Sequence, residues 1–117
     1  MGTLRNIDRR REPRREAELP VTVWGVDTRG ERFLQQASAR EISLSGALLS
    51  GLDAELRSGD VIGILYSGRK ARYRVIWVGY SNVMQKTQAA VHRIEPDPCP
   101  WQEFLSAELA HSAGTDK

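Results

Sequence analysis

With 117 residues, the chain fits one domain of ordinary size, able to bury a core without cross-links or a structural metal. Cys99 is its one cysteine, and its two histidines, His92 and His111, stand far apart, which excludes an internal disulfide and any Cys/His metal-ligand spacing. No apolar run approaches the roughly 18 residues of a membrane span, and the N-terminus is charged where a signal peptide is apolar, so a cytoplasmic protein without membrane insertion is expected.

The net charge of +2 hides an asymmetry. Residues 1–15 hold Arg5, Arg9, Arg10, Arg11, Arg14 and Arg15 against Asp8 and Glu12, a net +4; the other 11 basic and 13 acidic residues net −2. A cationic segment on a mildly acidic body points to one anionic partner at one place.

Residues 1–18 are polar, lack apolar periodicity and contain Pro13, so a flexible basic segment without a continuous helix is expected there. Leu19 to Val26 is β-branched and aromatic and reads as a strand. Asp27-Thr28-Arg29-Gly30 signals a turn. A second strand is expected from about Arg32 to Ile42, interrupted by Ser43-Leu44-Ser45-Gly46. Ala47-Leu48-Leu49 resumes as a short strand. After the Ser58-Gly59-Asp60 turn, Val61 to Tyr66 reads as a strand. Ser67-Gly68-Arg69-Lys70 closes a hairpin onto a strand from Ala71 to Tyr80. The last strand runs from Thr87 to Ile94, beyond a loop over 81–86.

Short strands and polar turns, with no helical period between them, predict an antiparallel barrel or sandwich. Pro96, Pro98 and Pro100 end the sheet by removing ladder donors. Trp101, Phe104, Leu105, Glu108 and Leu109 follow at helical spacing, predicting a short C-terminal helix packed on the barrel. The chain thus divides into a basic segment over 1–18, a barrel with its helix over 19–110, and a disordered tail over 111–117.

Two constellations carry chemistry. In Arg9-Arg10-Arg11-Glu12-Pro13-Arg14-Arg15, planar guanidinium forks suit phosphate, guanine edges and base faces. Alone, such a run is more often a solvated basic tail. In Glu41-Ile42-Ser43-Leu44-Ser45-Gly46, a carboxylate can accept from the donor edge of guanine and a hydroxyl can meet phosphate or base. Gly46 offers backbone angles closed to other residues and close approach for a ligand. Alone, this is a plain β-bulge or tight turn.

Together, in this order and about 30 residues apart, they resemble the two signatures of the PilZ domain family, R-x-x-x-R followed by [D/N]-x-S-x-x-G. Arg10 and Arg14, with Arg9 beside them, fit the first; Glu41, Ser43 and Gly46 occupy the second. Leu19-Pro20-Val21, Leu56 to Asp60, Arg74-Val75-Ile76-Trp77, Ala90-Val91 and the proline-punctuated run into Trp101 are also similar to PilZ sequences, so the resemblance covers about residues 9 to 106.

The resemblance implies an all-β, six-stranded antiparallel barrel with a short C-terminal helix. It implies a receptor or adaptor in bacterial signalling that binds cyclic di-GMP and acts through a protein effector, with no further cofactor. Ligand contacts would come from Arg9, Arg10, Arg14, Glu41, Ser43 and Gly46, with Arg11, Arg15 and Trp77 as further members. Glu41 stands where the family has Asp or Asn, which displaces the carboxylate by about one bond length. The alternatives are a degenerate PilZ domain acting only as a protein adaptor, and a small barrel holding nucleic acid through phosphate contacts, which the sparse aromatics of the basic segment disfavour. No acid–base pair, metal set or nucleophile suggests an enzyme.

The remaining residues have plainer expectations. His92 reads as a surface or barrel-wall histidine. Trp24, Trp77 and Trp101 read as core or helix-docking residues. Arg72 and Arg74 read as a cationic surface or a charged sheet edge, and Cys99 has no assigned role.

Overall fold

Alternation sets the walls of the molecule. Along Leu19–Val26, the side chains of Leu19, Val21 and Val23 are buried while those between them face outward. Along Arg69–Ser81, Ala71, Tyr73 and Val75 are buried and Arg72, Arg74 and Ile76 exposed. The computed structural model describes residues 13–107 of the chain. It contains six strands: β1 (Leu19–Val26), β2 (Arg32–Arg40), β3 (Gly46–Leu52), β4 (Val61–Tyr66), β5 (Arg69–Ser81) and β6 (Lys86–Arg93). They close into an antiparallel barrel in the order β1-β2-β3-β6-β5-β4, and a short helix over 102–107 follows. The expected six-stranded barrel and C-terminal helix are both present. No helix among the described residues is long and apolar enough to cross a membrane.

The core is the barrel interior, filled by Val21, Val23, Leu49, Ile62, Ile64, Tyr73, Val75 and Ala89. Trp101 and Leu105 from the C-terminal segment join it, with the Tyr73 and Trp101 ring centroids 5.6 Å apart. The helix thus docks through the aromatic residue that opens it, and its expected members Glu108 and Leu109 lie outside the described residues.

Strand limits differ from expectation where turns are tighter than the sequence suggests. β2 ends at Arg40 and not Ile42, because Glu41 takes a left-handed backbone (φ 48°) and bends the chain. β3 runs to Leu52, past a register shift between Leu49 and Leu52. Ser67 and Gly68 alone form the β4–β5 turn, both at positive φ (52° and 82°), so Arg69 and Lys70 belong to β5. β5 extends through Ser81, and β6 spans 86–93 rather than 87–94.

Two tryptophan expectations are corrected. The β5–β6 register shifts between Val75 and Trp77, so Ile76 is an extra residue and both side chains face outward. Trp77 is therefore 51% exposed, on the outer wall with its ring over Gly79. Trp24 is half-buried on the outer wall, with its ring over Gly63. Arg72 and Arg74 lie on no sheet edge, since β5 is paired on both sides.

Candidate functional site

The link from β2 to β3 carries the second constellation, and its backbone is almost wholly committed. Glu41 turns the chain, and Ile42 is driven fully into the core. Ile42 also pairs with Arg15, which donates its N–H to the Ile42 carbonyl at 2.8 Å and accepts the Ile42 N–H at 2.9 Å. The end of the arginine segment is thereby fastened beside the turn by backbone bonds.

Five successive carbonyls from Ile42 to Gly46 each accept a hydrogen bond. Trp101 Nε1 donates to Ser43 at 2.8 Å, Arg93 Nε to Leu44 at 2.9 Å, the Arg93 N–H to Ser45 at 2.6 Å, and the Ser43 N–H to Gly46 at 2.9 Å. The Gly46 N–H in turn donates to Ser43 Oγ at 3.1 Å. The carbonyls of this turn are thus satisfied without a regular ladder. The turn is held as a fixed frame from β6, from the C-terminal segment and from its own serine.

Gly46 serves a different purpose from the one expected. It does not have a positive φ. A Cβ built on it would stand 2.7 Å from the Val91 carbonyl oxygen, so glycine is needed for the close approach of β3 to β6. The tight neighbour is the protein's own backbone.

Arg14, Glu41, Ser43 and Gly46 line one cavity of about 500 Å³, together with His92 and Ile76. That volume lies within the usual range for small-molecule sites, about 300–1,000 Å³. Arg14 Nη1 is 3.8 Å from Glu41 Oε1, and both side chains are exposed, so the pair is weak and readily separated. Ser43 is buried beneath the cavity, with its hydroxyl turned to Gly46. Of the other expected members, Arg9, Arg10 and Arg11 lie outside the described residues. Arg15 is half-buried and tied by its backbone to Ile42, and neither it nor Trp77 is among the cavity's lining residues. A second concavity of about 510 Å³ on the outer wall is lined by Gln36, Ser38, Arg40, Ser50, Lys86 and Gln88 among others, and contains no member of either constellation.

No protein-family model matches the chain, and no curated protein matches it. The functional reading therefore rests on the residues themselves.

Arg93, Trp101, Cys99 and Asp97 support the site through contacts that no local sequence signal encodes. Arg93 reaches Leu44, 49 positions earlier, and its Nη1 donates to the Asp97 carbonyl at 2.7 Å. Trp101 reaches Ser43 across 58 positions, and Cys99 Sγ lies 3.9 Å from the same carbonyl. Asp97 accepts from Arg72 twice through the guanidinium, at 3.0 and 3.2 Å, and once through the Arg72 N–H at 2.8 Å. The Arg72 side-chain hydrogen bonds hold the Asp97 carboxyl below its ordinary range, and its N–H adds to the effect. The same pairing raises Arg72. Arg72 is therefore a fastening for the post-barrel segment, and Arg74 donates to the Gly59 carbonyl at 3.3 Å. The Tyr73 hydroxyl is buried without a hydrogen-bond partner among the described residues, and burial pushes its phenol well above the usual value, with Cys99 adding to the rise and Arg93 opposing it.

Proposed function

We propose that this chain is a PilZ-type cytoplasmic receptor for cyclic di-GMP, a binding module rather than an enzyme, that relays ligand occupancy to a protein effector. One observation carries the reading: Arg14 from the arginine segment, and Glu41, Ser43 and Gly46 from the turn, line the same cavity. Cyclic di-GMP is dianionic and bears two guanines, so it needs cationic forks for phosphate and acceptors for the guanine N1–H and N2–H₂ edge. Arg14 and the Glu41 carboxylate are of those two kinds. The arginines at 9–11 would add cationic forks from the same segment, and Ile76, exposed on the cavity wall, offers apolar surface to a base. Ordering of the arginine segment around the ligand would change the surface shown to an effector, with free energy drawn from the ligand's preference for the ordered state.

Isothermal titration calorimetry of the full chain with cyclic di-GMP tests the proposal. Saturable binding is expected, weakened at least about tenfold in Arg10→Ala and in Arg14→Ala, since each loses a charge-assisted contact. Absence of binding by the wild type at high micromolar ligand would refute it.

Glu41, standing where the PilZ pattern has Asp or Asn, favours a second reading, a ligand-independent adaptor. Under that reading Glu41→Asp leaves effector binding unchanged, and wild type ignores the ligand.

A further inference from the structure

His92 stands on the outer wall of β6, in register with Gly46 of β3 on one side and Arg74 of β5 on the other. It is exposed, and it lines the same cavity as Arg14 and Glu41. Its Nδ1 lies 3.2 Å from the carbonyl oxygen of Arg93. A carbonyl oxygen can only accept, so Nδ1 is the ring nitrogen that carries hydrogen in this contact. The neutral ring then has only a lone pair at Nε2, which repels a phosphate oxygen. Protonation turns Nε2 into a donor and adds a positive charge.

Charged groups from several elements surround the ring. Arg14, from the segment before β1, and Glu41, from the turn, cancel in formal charge and lie 3.8 Å apart. On β5, Arg74 donates to the Gly59 carbonyl, and on β6 the Arg93 guanidinium is engaged with the Leu44 and Asp97 carbonyls. Among the described residues lining the cavity, Arg14, Glu41 and His92 carry the titratable or charged side chains, while Arg74 and Arg93 beside them keep their positive charge. A phosphodiester stays fully ionised between about pH 5 and 8, the range in which histidine side chains change charge.

We propose that His92 is a ligand-contacting residue whose protonated ring donates to a phosphate oxygen, so that capture of the dianionic ligand strengthens as pH falls. This rests on the receptor reading above. The direction follows from linkage: the protonated form makes the extra contact, so binding takes up a proton, and affinity rises as pH falls until the free protein carries that proton itself.

Calorimetric titration of the full chain with cyclic di-GMP at about pH 5.5 and about pH 8 provides the test. Wild type should bind about five-fold tighter at the lower pH, the scale of one added charge contact near a protein surface. Near the middle of that range its binding enthalpy should vary with the ionisation heat of the buffer, which reports proton uptake and needs no variant. His92→Asn and His92→Gln, checked for folding by circular dichroism, carry no titratable ring and should lose the difference between the two pH values. Equal wild-type affinity at both pH values, or a pH dependence that survives both substitutions, overturns the role of His92 and leaves the receptor intact. No binding at either pH overturns the receptor reading, and this proposal with it.

Discussion

The indole Nε1 of Trp101 donates to the carbonyl oxygen of Ser43 at 2.8 Å, with the whole tryptophan buried. A residue that docks the C-terminal helix onto the barrel therefore also fixes the middle of the candidate binding turn. The core and the site share this contact, so loosening one loosens the other.

Replacing Trp101 with Phe keeps an aromatic ring against Tyr73 but removes the donor and part of the ring volume. The Ser43 carbonyl then loses its short hydrogen bond in a buried place. Chemical denaturation should show a loss of about 2–4 kcal/mol, combining the missing bond and the smaller side chain. Amide hydrogen exchange should accelerate in the turn as well as in the helix. Exchange that changes only in the helix would separate the two elements.

Gly46→Ala brings a Cβ within 2.7 Å of the Val91 carbonyl oxygen, and neither backbone yields as a side-chain tip would. A cost of about 1–3 kcal/mol is expected, with shifted amide resonances in β3 and β6. Gly51→Ala is the comparison: its φ is 80°, yet a Cβ meets nothing within 4 Å. Its cost is the left-handed backbone alone, about 1–2 kcal/mol, without a local shift of β6.

Tyr73→Phe removes a buried hydroxyl that has no hydrogen-bond partner among the described residues. Stability near neutral pH should hold within about 1 kcal/mol or rise, because no hydrogen bond is lost. The alkaline limb should also change. Burial holds the folded phenol protonated above the usual tyrosine range, whereas the unfolded chain releases that proton near pH 10. The contribution is complete below about pH 10 and lost as pH rises above it, because the unfolded state then binds fewer protons. Denaturation midpoints between about pH 9 and 11 should fall more steeply for wild type than for the variant. Parallel slopes would show that the phenol titrates alike in both states.

Asp97 gives the acid counterpart. Its carboxyl is lowered by the hydrogen bonds from the Arg72 side chain and then from the Arg72 N–H. A depressed folded value stabilises the protein above the unfolded value, near pH 4, and that stabilisation disappears as pH falls through the folded one. Asp97→Asn should therefore flatten the decline of stability below about pH 4, read from urea midpoints at a series of pH values. An unchanged acid slope would mean that the pair with Arg72 is not maintained in solution.

The strands were legible in the sequence because alternation is a local property. Leu19, Val21 and Val23 announce an inward face wherever that strand is placed, and the period of two is set by the peptide unit. The same holds for Ala71, Tyr73 and Val75. Where an extra residue breaks the period, as Ile76 does, the pattern misleads, and Trp77 faces solvent instead of the core. The limits of β2 were missed for a related reason. Nothing in Glu41 as a residue type signals a left-handed backbone, which is imposed by burying Ile42 and pairing it with Arg15.

The alternating strands, the proline stop, the helical spacing after it, and the two constellations of arginines and turn residues are all written along the chain. Each depends on neighbours a few positions apart, and short-range sterics and hydropathy write such features directly into the chain. Which of those residues meet depends on the closed barrel. Closing the barrel brought Arg14 to Glu41, pressed Gly46 against Val91, set His92 beside both, and gave the turn its partners in Arg93 and Trp101. These contacts span tens of residues, and their geometry comes from strand order and register, which no local pattern encodes.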